Sequence, residues 1–195
     1  MKLSKLPQSA LIVSSTDKGA AFIAELLDSS SYDPVERADS AGEARRKMIS
    51  DVYDIVVINA PLSDEFGHEL ALEVSEEARS VAVLLVKGDI YDQTCYRVED
   101  SGVLTISKPV SHQAMYSALR LASAVSRRLN AAEREKEKLL VKIEELRVVD
   151  RAKWVLVEYL KMNEETAHKY IERQAMDMRI TRREVAENIL KMYEN

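Results

Sequence analysis

The chain has 195 residues, 46% hydrophobic and 31% charged, with a formal net charge of −5 at pH 7. Five Gly and four Pro exclude a loop-rich all-β or low-complexity chain and leave a helical or α/β protein, long enough for one domain plus a smaller appendage. The single cysteine, Cys95, excludes an intrachain disulfide and an all-Cys metal site, and no apolar run approaches the roughly 20 residues of a membrane-spanning helix, so a cytoplasmic protein with no membrane partner is expected.

At the N-terminus, MKLSKLPQSALIV is interrupted by Pro7, so no secretion signal is expected. Residues 10–15, ALIVSS, read as a strand. A helical pattern follows through Ala20, Ile23, Ala24 and Leu27. A short strand over Val35 to Ala38, a helix over Ala41 to Ser50 and the apolar run DIVVINA at 54–60 extend the alternation. A helix across Glu69–Ala78, the strand VAVLLV at 81–86, a helix near Asp92–Asp100 and a strand at Val103–Ser107 complete it. Strands alternating with helices imply right-handed crossovers, so the expected fold class is α/β with a doubly wound, five-stranded parallel sheet of the flavodoxin-like kind.

Pro109 ends the fifth strand and Ser111 is a plausible N-cap for a long helix. The stripe Met115, Ala118, Ala122, Val125, Leu129, Ala132, Lys136, Leu139, Ile143 and Leu146 keeps a 3,4 alternation and is apolar except at Lys136, while the other positions are heavily charged. So narrow a stripe predicts a left-handed coiled coil with a second copy of the chain, with Ala122 to Leu146 as the dimer seam and Lys136 restricting register and oligomer state. Beyond it the pattern broadens. Val148, Ala152, Val155, Leu156, Tyr159 and Leu160 form a first globular face. Asn163 caps a second helix with Ala167, Tyr170, Ile171, Ala175 and Met178 inside. Thr181 and Glu184 form a capping box before a third, with Val185, Ala186, Ile189, Leu190 and Tyr193 inside. The expected organisation is an α/β domain at 1–110, a helix continuing into a coiled coil at 111–146 and an all-α three-helix module at 147–195. Trp154 and Tyr159, aromatics among aliphatics, are expected in the core.

Charge is unevenly divided. From Arg147 onward ten basic side chains face nine acidic ones, a net of about +1, which leaves −6 for residues 1–146. The acidity therefore does not speak against a nucleic-acid partner for the C-terminal module. No paired acids, nucleophile with base, or phosphate loop is apparent, and neither an enzyme nor a cofactor or metal is expected.

The element order, with DIVVINAPLSDEFG and LTISKP, resembles the receiver domain of two-component response regulators over about residues 7–125. In that family an acidic pair after the first strand holds Mg²⁺, an Asp ending the third is phosphorylated, Thr or Ser ends the fourth, and a Lys-Pro follows the fifth. Here Lys108-Pro109 matches, but Asn59 stands at the acceptor position, Ser14-Ser15-Thr16 replaces the acidic pair, and the fourth strand is expected to end in Val86. The degenerate site is thus Asn59, Lys108, Val86 and Ser15, the domain reads as a pseudo-receiver, and Lys108 is expected to partner an Asn or Ser side chain. Asp17 and Asp64 lie off the matching positions and read as surface loop acids.

The run VVDRAKWVLVEYLKMNEETAHKYIERQAMDMRITRREVAENIL is similar to the ANTAR family. The matches are Ala152 and Leu156 in the first helix, Glu164, Glu165 and Ala167 opening the second, Arg173, Ala175 and Met176 at its centre, and Val185, Ala186 and Ile189 in the third. The resemblance implies binding of stem-loops in leader transcripts, preventing a terminator hairpin from forming. Arg173, Gln174, Arg179, Arg182 and Arg183 flank the junction of the last two helices and form the expected RNA-binding patch, with Arg151, Lys153, Lys161 and Lys169 as secondary candidates. Glu172 departs from the family, many of whose members carry a basic residue there. The whole architecture resembles the amidase-operon antiterminators, which implies a homodimer binding tandem hairpins under control of a ligand-sensing protein. The alternative is a protein-interaction adaptor without RNA binding.

Overall fold

Apolar runs such as DIVVINA and VAVLLV make central strands because a parallel sheet is covered on both faces. In the computed structural model, which describes residues 7–27, 30–77 and 79–193, five such strands form one sheet ordered β2-β1-β3-β4-β5, all parallel. They are β1 (Gln8–Val13), β2 (Tyr32–Ala38), β3 (Ile55–Asn59), β4 (Val81–Lys87) and β5 (Leu104–Lys108), alternating with α1 (Asp17–Leu26), α2 (Ala41–Ser50), α3 (His68–Glu76) and α4 (Tyr91–Val98). This is the doubly wound α/β fold expected.

Side-chain alternation divides the core in two. Leu11, Val13, Val56, Ile58, Leu84 and Val86 meet residues of α2, α3 and α4 on one face. Ala10, Ile12, Ile55, Val57, Val83 and Leu85 meet α1 and the start of α5 on the other. Local chemistry fixes the helix starts. Thr16 accepts from the backbone N–H of Gly19 to cap α1. At α2, Ser40 accepts from Glu43 N, while the Asp64 carboxylate accepts from Ala41 N at 2.9 Å and Gly42 N at 2.8 Å. Asp64 is therefore a cap supplied by the β3–α3 loop and not a free loop acid.

The helix α5 runs from His112 to Leu160, 49 residues, with Ser111 Oγ accepting from Ala114 N at its start. It has no Gly or Pro to stop it, so the expected first helix of the C-terminal module is its last part and not a separate short helix. The chain divides into two compact units, Met1–Glu133 and Arg134–Asn195, with α5 shared between them.

In the first unit α5 turns Met115, Leu119 and Ala122 into the core, and polar side chains hold the following turns. Tyr32 Oη and Ser123 Oγ lie 2.7 Å apart, Gln8 Nε2 donates to Ser126 Oγ at 3.0 Å, and Asp54 Oδ1 accepts from Ser126 Oγ at 3.2 Å and Asn130 Nδ2 at 2.6 Å. Ala122 is fully enclosed and so is removed from the expected seam: a residue filling its own domain's core cannot also meet a second copy. Val125, Leu129, Ala132, Lys136, Leu139, Ile143 and Leu146 remain exposed along the helix.

In the second unit the end of α5 packs with α6 (Glu164–Met178) and α7 (Arg182–Tyr193) around Ala152, Leu156, Ala167, Ile171, Val185 and Ala186. Both expected caps form. Asn163 and Thr166 exchange side-chain to backbone bonds, and Thr181 N donates to Glu184 Oε2 at 2.7 Å while Glu184 N donates back to Thr181 Oγ1. Tyr159 sits outside the core against Tyr193, ring centroids 5.3 Å apart, and Trp154 is 73% exposed, so neither aromatic is in the core as expected. No helix among the described residues is long and apolar enough to cross a membrane.

Candidate functional site

The candidate residues fall in two regions, one in each unit. In the first, β1 and β3 are neighbours although their connections leave in opposite directions, which opens a crevice at the carboxyl ends of the strands. Asn59, Ser14 and Lys108 converge there. Asn59 Nδ2 donates to Ser14 Oγ at 2.9 Å, and the amide lies so close to α1 that a Cβ on Gly19 would fall 2.2 Å from that nitrogen. Thr16, Phe22, Leu85, Lys108 and Val110 line the same cleft, of about 360 Å³.

The expected set changes in three places. Ser15 is exposed and donates instead to the carbonyl of Pro61 at 3.3 Å, leaving the buried Ser14 as the partner of Asn59. Val86 is not the end of β4 and does not face the site. It is buried on the opposite face, and the strand continues to Lys87, which pairs in register with Lys108. One residue of strand length reverses the face. Lys108 donates its ammonium to the carbonyl of Ala60, a backbone oxygen and not an Asn or Ser side chain. Burial, and then the charge of Lys87, pull its pKa below the usual lysine value. Ser14, Ser15 and Asn59 offer no carboxylate, so the residues present do not fit a magnesium ion. Asp17 faces away, 94% exposed and paired with Arg37 at 2.7 Å.

In the second unit three of the nine candidate RNA contacts come together in one cleft. Lys153, Arg182 and Arg183 line a single cleft of about 450 Å³ with Lys142 and His168, and with Glu145 and Asp150 as counter-charges. Gln174 lies on a different cleft. Arg151, Lys161, Lys169, Arg173 and Arg179 line neither and stand exposed. Arg179 ends α6 in the left-handed conformation, with φ of 54°.

Most of these cations already have a carboxylate. Lys153 bridges Asp150 at 2.8 Å and Glu164 at 3.2 Å, which raises its pKa, the Asp150 hydrogen bond contributing most. Arg183 meets Glu187 at 2.8 Å, Arg173 meets Asp177 at 3.7 Å, and Lys169 meets Glu165. Glu172, the departure from the family pattern, pairs with Arg182 and with His168, each at 3.3 Å. Apart from those of the enclosed Lys153, these pairs are open to solvent and weakened by water and salt, so an incoming phosphate can exchange for the carboxylate. Lys142 falls on a solvated position of the coiled-coil pattern, so the sequence does not single it out. It shares the cleft with Thr181, Arg182 and Arg183 because the start of α7 lies beside that turn.

Residues 137–190 match the ANTAR domain model, ten residues earlier than the expected start of the module and close to the structural boundary at Arg134. The chain is 29% identical over 187 residues, 95% of its own length and 91% of the relative's, to the transcriptional regulatory protein PdtaR of Mycobacterium tuberculosis. Among solved structures it resembles the signal receiver domain of an HD domain-containing protein from Pseudomonas fluorescens Pf-5, with a TM-score of 0.57 at 23% identity over 69% of this chain and 98% of that one. It also resembles a response regulator receiver domain protein from Clostridium thermocellum, with a TM-score of 0.56 at 18% identity over 63% of this chain and 98% of that one. At these identities the structural likeness gives the receiver fold.

Proposed function

We propose, from the match of residues 137–190 to the ANTAR domain model behind a receiver-type fold, that this chain is a homodimeric RNA-binding antiterminator that grips tandem stem-loops of a leader transcript. The observation that carries the reading is the coincidence of the ANTAR match with a compact unit whose cleft gathers Lys142, Lys153, Arg182 and Arg183. Phosphate contacts supply affinity, and loop bases supply selectivity. The second copy pairs through Val125, Leu129, Ala132, Lys136, Leu139, Ile143 and Leu146, whose apolar members lie exposed on one helix in the single chain.

The receiver-type domain acts without phosphorylation. An amide at Asn59 is no nucleophile, and it is held by Ser14 with no carboxylate to place a metal beside it. Control then falls to a protein partner, a ligand-sensing one, that masks the seam or the RNA face.

The decisive experiment titrates a two-hairpin leader RNA into the full chain. Tight, salt-dependent binding is expected, weakened by Arg173→Ala combined with Arg182→Ala. Absence of binding would leave an adaptor that docks proteins, a reading favoured by the carboxylates already paired with most of the cations. Labelling of the chain by a small phosphodonor would overturn the phosphorylation-free receiver.

A further inference from the structure

The cleft of about 360 Å³ at the carboxyl ends of the strands combines two chemistries in its lining. Phe22, Leu85 and Val110 are apolar, Lys18, Asn59 and Lys108 are polar, and no carboxylate is among the lining residues. Lys108 is half-buried, and its ammonium donates to the carbonyl of Ala60, which leaves two of its N–H groups without a partner among the described residues. Lys87, beside it in register, adds like charge and not a counter-ion. Asp17 and Asp64 are committed elsewhere, to Arg37 and to the start of α2. Asn59 gives one amide hydrogen to Ser14 and keeps the other. An enclosed ammonium without a counter-ion is costly, and an anion entering the cleft would supply both the charge and the missing acceptors.

We propose that this cleft binds a small organic anion, a carboxylate carried on an apolar body, with the carboxylate at Lys108 and Asn59 and the body against Phe22, Leu85 and Val110. The site lies in the first unit and does not depend on the RNA-binding reading; through it a small molecule acts on this chain directly, in addition to any protein partner. Each simpler occupant satisfies half of the lining. Inorganic phosphate would match the ammonium and leave the apolar side chains bare, while a neutral apolar molecule would cover those side chains and leave the ammonium unpaired. The volume suits a small molecule, at the low end of ligand clefts. Pro109 and Val110 line the cleft and lead into α5, and the Phe22 ring meets His112 at the start of that helix edge-on, centroids 5.0 Å apart. A ligand against Phe22 therefore lies at the root of α5.

The test titrates the full chain with phenylacetate and isovalerate, with the neutral amide of each, and with inorganic phosphate, read by ligand-observed NMR and calorimetry. At least one of the two acids is expected to bind, its amide about tenfold more weakly, and phosphate more weakly than the acid. Lys108→Met keeps an apolar stem and removes the charge. Asn59→Asp, nearly the same in shape, places a carboxylate where the ligand's own should sit. Each variant is expected to bind the acid about tenfold more weakly and the amide as the wild type does, a split that a damaged fold would not produce. The proposal is overturned if neither acid binds the wild type at millimolar concentration, or if acid and amide bind alike. Phosphate binding as tightly as the acid would overturn the apolar half of the assignment and with it the ligand class. If both variants keep wild-type affinity for the acid, or lose acid and amide equally, Lys108 and Asn59 are not its receptor and the proposal fails.

Discussion

Asn59 sits against Gly19 so closely that the glycine is required: a Cβ there would also lie 2.8 Å from Thr16 Oγ1 and 2.9 Å from Ser14 Oγ. Gly19→Ala is expected to destabilise the first unit by about 1–3 kcal/mol through overpacking, measured by urea denaturation. Asp64 tests charge in a different way. Hydrogen bonds from Gly42 N, then Ala41 N, hold its carboxyl below the ordinary value of 3.8. A lowered folded-state pKa means that the contribution is fully present above pH 3.8 and lost as pH falls through the lower value. Asp64→Asn, which keeps an acceptor but no charge, should melt below the wild type at pH 7, with the difference closing toward pH 2; a difference independent of pH would make the cap purely geometric. Neither role was legible in the sequence. Asp64 reaches α2 from 22 residues away, and Val86 was misplaced because strand ends carry no local mark while each added residue changes face.

Patterns longer than a turn were read more faithfully than single positions. The alternation of apolar runs with helical periods gave the five-stranded sheet, and Asn163 and Thr181 marked two helix starts by chemistry that acts over three residues. The 3,4 stripe of α5 was legible too, but not where the domain core releases it. Ala122 fits the stripe as well as Val125 does, and only the sheet beneath it, with Gln8 donating to Ser126 and Asp54 accepting from Ser126 and Asn130, shows that the helix is still engaged. In the proposed dimer the seam thus starts alongside those anchors, at Val125 and not at Ala122, with Lys136 as its polar interruption. Lys136→Leu should strengthen self-association and admit higher oligomers, because a charged a-type position is tolerated in a dimer at a cost in stability. Sedimentation equilibrium at several concentrations would reveal it, and an unchanged association constant would place Lys136 outside the interface.

For the whole molecule, the net charge of −5 conceals a division of labour between an acidic first part and a C-terminal unit whose cations are mostly shared with carboxylates. A single such unit has few unpaired charges to offer phosphate and should bind one hairpin modestly. Two units joined by a seam turn the second contact into an intramolecular one, and the effective concentration of short tethers can raise overall affinity by about 10²–10⁴ without any new contact. Leu139→Glu with Ile143→Glu would place like charges at two seam positions that are 53% and 46% exposed in the single chain, so the fold of each unit should survive while the dimer does not. The variant is expected to be monomeric by light scattering and to bind a two-hairpin RNA no better than a one-hairpin RNA, for which its affinity should equal that of the wild type. If it stays monomeric yet keeps the full two-hairpin affinity, avidity is not the source of tight binding, and the ion pairs of the basic cleft must then yield to phosphate far more readily than exposed pairs of their kind suggest.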